Sequence, residues 1–152
     1  MWRINDESCS ALSCFLLCLR RLPRDFNKAG RPYVCLAVTI DGVRFAIPIR
    51  HHIPHQWAFF TIDRRGLDYT KAVVLSRPEY IGSTGAWIEQ AEFDLLKKKE
   101  RMIINGMRHY LQAYKKALRY PDNPHYENIR SHSALQYFHR ELRLPRGDHP
   151  RP

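Results

Sequence analysis

The chain has 152 residues, with 25 Lys and Arg against 15 Asp and Glu, a formal net charge of +10. The excess is not a tail: residues 1–76 carry eleven basic and six acidic groups, net +5, and residues 77–152 carry fourteen and nine, again +5. A basic field of this kind points to a polyanionic partner, either nucleic acid or an anionic membrane surface. With 44% hydrophobic residues the chain can bury a core, which excludes a disordered basic tail protein, and its length fits one domain.

The first apolar segment is Ala11 to Leu19, nine residues interrupted by Ser13. It falls well short of the roughly 18 apolar residues a membrane span needs. Asp6 and Glu7 precede it and Arg20-Arg21 follow, which does not match an export signal, so a cytoplasmic protein is expected. Leu12, Phe15/Leu16 and Leu19 recur at helical spacing, and Pro23 ends the segment, which predicts a core helix. On that helix Cys14 and Cys18 share a face, and Cys9, Cys14, Cys18 and Cys35 are read as small apolar residues. Their spacing offers no zinc knuckle, and no disulfide framework is expected.

After a polar loop from Arg24 to Arg31, the pattern changes to strands. Tyr33 to Ile40 and Val43 to Ile49 flank Asp41-Gly42, the strongest short hairpin signal. Trp57 to Ile62 reads as a third strand, Asp63 to Gly66 as a turn and Lys71 to Leu75 as a fourth strand. Tyr80 to Ile88 has room for a fifth. From Glu89 the pattern is helical for about thirty residues to Tyr120, before Pro121-Asp-Asn-Pro124. A last helix capped by Ser131 is expected from Leu135, Phe138 and Leu142. The expected fold is α+β: a small, strongly twisted antiparallel sheet surrounded by helices, one domain over residues 1–144 with a flexible tail at 145–152.

The two-residue turn fixes the hairpin register, so residues whose numbers sum to 83 face each other. Val34, Leu36, Val38 and Ile40 then oppose Ile49, Ile47, Phe45 and Val43 on an apolar core face. If the ladder runs on, Tyr33 faces Arg50 and Arg31 faces His52, with His51 and His55 on the adjoining loop. Three histidines in five residues also raise a metal site, but H-H-x-x-H lacks a nearby carboxylate. RNA cleavage without a metal fits the residue types better. It needs a base for the 2′-hydroxyl, an acid for the leaving 5′-oxygen and cations for the phosphorus centre. Histidine titrates near neutrality, and arginine presents a permanently charged fork to phosphate oxygens. The long helix adds a second basic feature. Lys97, Arg101, Arg108, Lys115 and Arg119 fall within a stripe of about 40°, while Leu96, Ile103, Met107, Leu111, Tyr114 and Leu118 fall between roughly 240° and 320° by the same count, a separate, core-facing side.

Several segments together resemble a known family. Arg31-Pro-Tyr-Val-Cys-Leu-Ala-Val, the Ile47-Pro48-Ile49 return strand, Gly66 to Leu75, the Glu92-Phe93 pair and Ser133 to His139 are similar to the endoribonuclease toxins of type III toxin–antitoxin systems. These are the ToxN/AbiQ superfamily, and the TenpN-like branch is nearest. The resemblance spans about residues 31–139. It implies a partly open, twisted sheet of the MazF/Kid type. It also implies metal-independent RNA cleavage by 2′-hydroxyl attack that leaves a 2′,3′-cyclic phosphate, with no cofactor. A small pseudoknot RNA antitoxin would inhibit the toxin and assemble with it into a protein–RNA hetero-oligomer. By position, Arg31 stands where the family has a catalytic lysine. Arg50-His51 stands where it has hydroxyl residues, and His55 lies within one residue of its downstream histidine.

The expected catalytic set is therefore Arg31, Arg50, His51, His52 and His55, with a histidine moving protons and the arginines stabilising the phosphorane. Tyr33, Tyr69 and Lys71 are expected to orient RNA, and Lys97, Arg101, Arg108, Lys115 and Arg119 to track its backbone. The alternatives are a non-catalytic RNA- or DNA-binding regulator and a membrane-surface protein using residues 11–22.

Overall fold

The computed structural model describes residues 2–3, 15–19, 33–82 and 87–145. The strands are β1 (Trp2–Arg3), β2 (Phe15–Leu19), β3 (Tyr33–Ile40), β4 (Val43–Arg50), β5 (Ala58–Ile62), β6 (Arg65–Asp68), β7 (Val73–Val74) and β8 (Trp87–Ile88). The helices are α1 (Gln90–Lys98), α2 (Glu100–Arg119) and α3 (Glu127–Ser131). The main sheet runs β2-β3-β4-β6-β5, all antiparallel and not closed, and β7 also pairs with β4. Separately, β1 pairs with β8. No described helix is long and apolar enough to cross a membrane.

The central hairpin follows from its turn. Asp41 and Gly42 sit at φ 50° and 79°, the left-handed pair that a two-residue turn between twisted strands requires. Cys35 pairs with Pro48, Leu36 with Ile47, Val38 with Phe45 and Ile40 with Val43, the register expected from the sequence. Leu36, Val38, Ile40, Phe45 and Ile47 are buried. Cys35, Ala37 and Ala46 on the other face are buried too, so the middle of the hairpin is covered on both sides.

A second tight hairpin joins β5 to β6. Asp63 and Arg64 both have positive φ, 41° and 55°, and a bulge lies between Phe60 and Ile62. The sequence places the turn correctly but misses the short return strand, because Gly66 reads as turn punctuation. Gly66 instead permits a close strand approach, since a Cβ there would collide with the Phe59 backbone carbonyl across the ladder.

Three further expectations change. Residues 15–19 form an edge strand against β3, with Cys18 opposite Val34, rather than a core helix. An all-apolar run has no polar face to separate a period of 3.6 from a period of 2, and pairing to β3 decides it. Cys9, Cys14 and Arg31 lie outside the described residues. The fourth strand shrinks to Val73–Val74, and Tyr69–Lys71 form a 3-10 turn instead. The long helix is two helices that meet at Lys99 (φ −104°, ψ 12°).

Helix α2 buries Ile103, Met107, Tyr110, Leu111, Tyr114 and Ala117, and packs against β3, β5 and the 69–71 turn. Each large side chain removed from water here contributes about 1.5–3 kcal/mol. Two of its tyrosines fasten the C-terminal segment. Tyr110 Oη donates to Ser133 Oγ (2.6 Å), and Tyr114 Oη pairs with His139 Nε2 (2.8 Å), all four side chains being buried. The cap of the last apolar turn is Ser133, not Ser131: its hydroxyl accepts from Leu135 N ahead of the 3-10 turn Ala134–Phe138. Leu135 and Phe138 are buried, as the pattern anticipates. At the other end, Arg65 Nη2 donates to the buried Glu92 carboxylate (2.6 Å), which ties α1 to the β5–β6 hairpin.

Candidate active site

The site forms where β4 leaves β3. The last β3–β4 pair is Cys35 with Pro48; beyond it Ile49 pairs with Leu67 and Arg50 with Gly66, both on β6. Arg50 therefore faces β6 instead of Tyr33. That exchange of partners carries Arg50 to Asp68, which closes β6 and is completely buried.

Three donors converge on the Asp68 carboxylate, and His55 stands next to them, its Nε2 paired with Thr70 Oγ1 at 3.3 Å. Arg50 Nη1 donates to Oδ2 at 2.6 Å. On Oδ1, Thr70 donates through its backbone N–H at 3.0 Å and through Oγ1 at 2.6 Å, and His55 Nε2 stands at 3.3 Å. A buried carboxylate is costly unless its lone pairs are filled, and here both oxygens are engaged, one of them by a guanidinium. The local device is an Asx turn: Asp68 caps the 69–71 turn by accepting from Thr70 N. Arg50 keeps 40% of its side chain exposed, so the cluster reaches solvent through its cation.

His55 is held by its loop. Ile53 is buried; its N–H donates to the Arg64 carbonyl (3.0 Å), and Arg64 Nε donates back to the Ile53 carbonyl (2.8 Å). The Trp57 N–H donates to His55 Nδ1 (3.2 Å). With that nitrogen accepting, the partners assign the imidazole proton to Nε2, facing Asp68 and Thr70. The neutral ring thus has both nitrogens engaged.

His55 and Thr70 also line a cleft of about 710 Å³, together with Trp57, Phe60, Arg64 and His132. The wall mixes aromatic surface with hydrogen-bonding and cationic groups, the usual make-up of a ligand site. Arg64 stacks over Phe60, its guanidinium carbon 5.5 Å from the ring centroid. Lys71 stands beside the cluster and donates from Nζ to the His132 carbonyl (2.9 Å). Burial pushes its ammonium below the usual lysine range; Asp68 opposes that shift and Arg50 adds to it.

The structure therefore gathers Arg50, His55 and Lys71 around Asp68. It does not bring in the rest. His51 and His52 are exposed at the end of β4, His52 at φ 54°, and neither lines the cleft. Tyr33 opens β3, where its backbone pairs with Leu19. Tyr69 cannot orient RNA: it is buried, its hydroxyl donates to the Ile103 carbonyl (3.1 Å), and desolvation pushes its ionisation well above the ordinary tyrosine range. A Cβ on Gly106 would run into its ring, so the glycine makes room for it. Arg101, Arg108, Lys115 and Arg119 lie exposed along one face of α2. Lys97 is exposed as well but belongs to α1, across the break at Lys99.

Asp68, Thr70 and His132 are the residues that sequence reasoning missed. A local signal exists for the first two, since Asp-x-Thr at a strand end is an Asx-turn pattern. None exists for His132, which reaches the cleft from a distant helix end. Among the described residues no group of three or more His, Cys, Asp or Glu is arranged to hold a metal ion. No protein-family model, no curated protein and no solved structure matches this chain significantly.

Proposed function

We propose that the protein is an endoribonuclease that cleaves RNA by attack of the 2′-hydroxyl on the adjacent phosphate, leaving a 2′,3′-cyclic phosphate. The observation that carries this reading is the Arg50–Asp68–His55–Thr70 cluster set behind a cleft lined by aromatic, histidine and arginine side chains. Arg50 and Lys71 supply the positive charge that a pentacoordinate phosphorus centre needs. Trp57 and Phe60 offer surfaces on which an unstacked base can lie. His55 and Asp68 keep these groups in register. The exposed basic face of α2 serves as the backbone-tracking surface.

The same reading extends to a toxin of the type III class with an RNA inhibitor. Its support is the resemblance of the segments named above and the coarse architecture, an open antiparallel sheet with helices. The finer MazF/Kid-type geometry, the pseudoknot antitoxin and the hetero-oligomer belong to this proposal. Tandem short repeats and a terminator just upstream of the coding region are the genomic mark expected of it.

A second reading is a non-catalytic RNA- or DNA-binding protein, favoured by the exposed basic face of α2 alone. Incubating purified protein with end-labelled RNA in EDTA separates the two. Discrete fragments with cyclic phosphate ends are expected, whereas retention of intact RNA would favour the binder.

A further inference from the structure

Two histidines line the cleft, and their partners put them in opposite tautomers. His55 accepts from the Trp57 N–H on Nδ1, so its proton sits on Nε2 and no lone pair is left for a substrate. His132 is the reverse. Its Nδ1 lies 3.1 Å from the Asn128 carbonyl oxygen, which can only accept. Ser131 Oγ lies at 3.1 Å from the same nitrogen, and its one hydrogen is already given to the Glu127 carbonyl at 2.9 Å. Both neighbours are therefore acceptors, Nδ1 carries the proton, and the Nε2 lone pair of the neutral ring is unused. A histidine with Nδ1–H fixed on a backbone carbonyl and a free Nε2 is oriented as a general base. His132 is exposed, and Lys71 fixes its backbone by donating to its carbonyl (2.9 Å).

We infer that His132 is the base that takes the 2′-hydroxyl proton and that Lys71 is the acid that protonates the leaving 5′-oxygen. This division of labour rests on the ribonuclease reading. In the step, Nε2 of His132 takes the hydroxyl proton as the O2′–P bond forms. The P–O5′ bond breaks with its electron pair going to O5′, which takes a proton from the Lys71 ammonium. No oxidation state changes. The His132 imidazolium then returns its proton to solvent, and the Lys71 amine recovers one. Lys71 has two N–H groups beyond the one spent on the His132 carbonyl, and its ammonium stands close enough to feel the charges of both Asp68 and Arg50. Lys71 is placed beside the cleft by its bond to the carbonyl of His132, which lines it, and it follows the lining residue Thr70 in the chain.

The test is single-turnover cleavage of labelled RNA by the full chain and two variants. His132→Ala should slow cleavage by about 10²–10⁴-fold, the usual weight of a general base, with RNA affinity preserved. Added imidazole should restore at least a tenfold part of the loss. Lys71→Arg keeps the charge but gives up its proton far less readily. It should be slow on ordinary RNA and close to the parent on RNA with a bridging 5′-sulfur, whose thiolate leaves unprotonated. A long-range ¹H–¹⁵N spectrum of the parent should show His132 as the Nδ1–H tautomer and His55 as the Nε2–H tautomer, whether or not RNA is present. His132→Ala cleaving at the parent's rate, a loss that imidazole does not restore, or an Nε2–H tautomer at His132 overturns the base assignment while the ribonuclease reading stands. Lys71→Arg equally slow on the sulfur substrate overturns the acid assignment. A parent that binds RNA and leaves it intact overturns both the ribonuclease reading and this inference.

Discussion

The cleft and the outer face of α2 are both basic, and they are built in opposite ways. On α2 the cations Arg101, Arg108, Lys115 and Arg119 recur at helical spacing and stand in solvent. At the cleft, Arg50, His55 and Thr70 come from β4, a loop and a 3-10 turn, and a buried carboxylate joins them. One surface can lose a charge without disturbing the fold. The other joins its groups through one shared carboxylate, so the loss of that group should disturb the rest. Positive charge alone suits a surface to hold RNA, whereas fixed geometry suits a site to act on it.

The largest consequence concerns Asp68. Asp68→Ala removes the acceptor shared by Arg50 and Thr70 and should cost about 1–3 kcal/mol in urea unfolding, because the buried Thr70 donors are left without a partner while Arg50 can turn to solvent. Cleavage should fall with it. An unfolding midpoint equal to the parent's would mean that the cluster is not a unit.

The helix face should behave in the opposite way. Arg108→Glu combined with Lys115→Glu should leave the unfolding curve in place and lower RNA affinity by about tenfold or more. The slope of log affinity against log salt should shrink by about 0.7 for each phosphate of single-stranded RNA that the variant no longer neutralises. Unchanged affinity and slope would remove α2 from the RNA surface.

The smallest effect tests the scaffold shared by both regions. Tyr69→Phe removes a buried donor to the Ile103 carbonyl and should cost about 1 kcal/mol at neutral pH. Tyr69, Tyr110 and Tyr114 all have ionisation raised by burial. In the unfolded chain they lose protons near pH 10, before the folded protein does. Their stabilising contribution is therefore complete below about pH 10 and is lost as pH climbs above it. Unfolding followed against pH should show this alkaline decline, and the variant should show a shallower one.

What could be read from the sequence follows the same division. The hairpin register is set by two residues, Asp41 and Gly42, and one apolar stripe sets the buried side of α2, so both are legible locally. The misread segments lack a local signal or carry two. Residues 15–19 are apolar in every period, and only β3 decides their state. Gly66 signals a turn but serves a close strand approach. The break at Lys99 has no proline or glycine to announce it. The site was half visible: Arg50, His55 and Lys71 stand out by chemistry. Asp68 falls between two expected strands and looks like an ordinary loop residue until β4 pairs with β6 and brings Arg50 to it.

In the proposed reaction the attacking group is the substrate's own 2′-hydroxyl. The most direct measurement compares one RNA that the protein cleaves with the same RNA carrying a 2′-O-methyl group at the cleaved nucleotide, in EDTA. Both should bind with similar affinity, and only the unmodified strand should be cut, giving a 2′,3′-cyclic phosphate end. Cleavage of the methylated strand at the same bond, or an unmodified strand that is bound and never cut, would contradict that reaction.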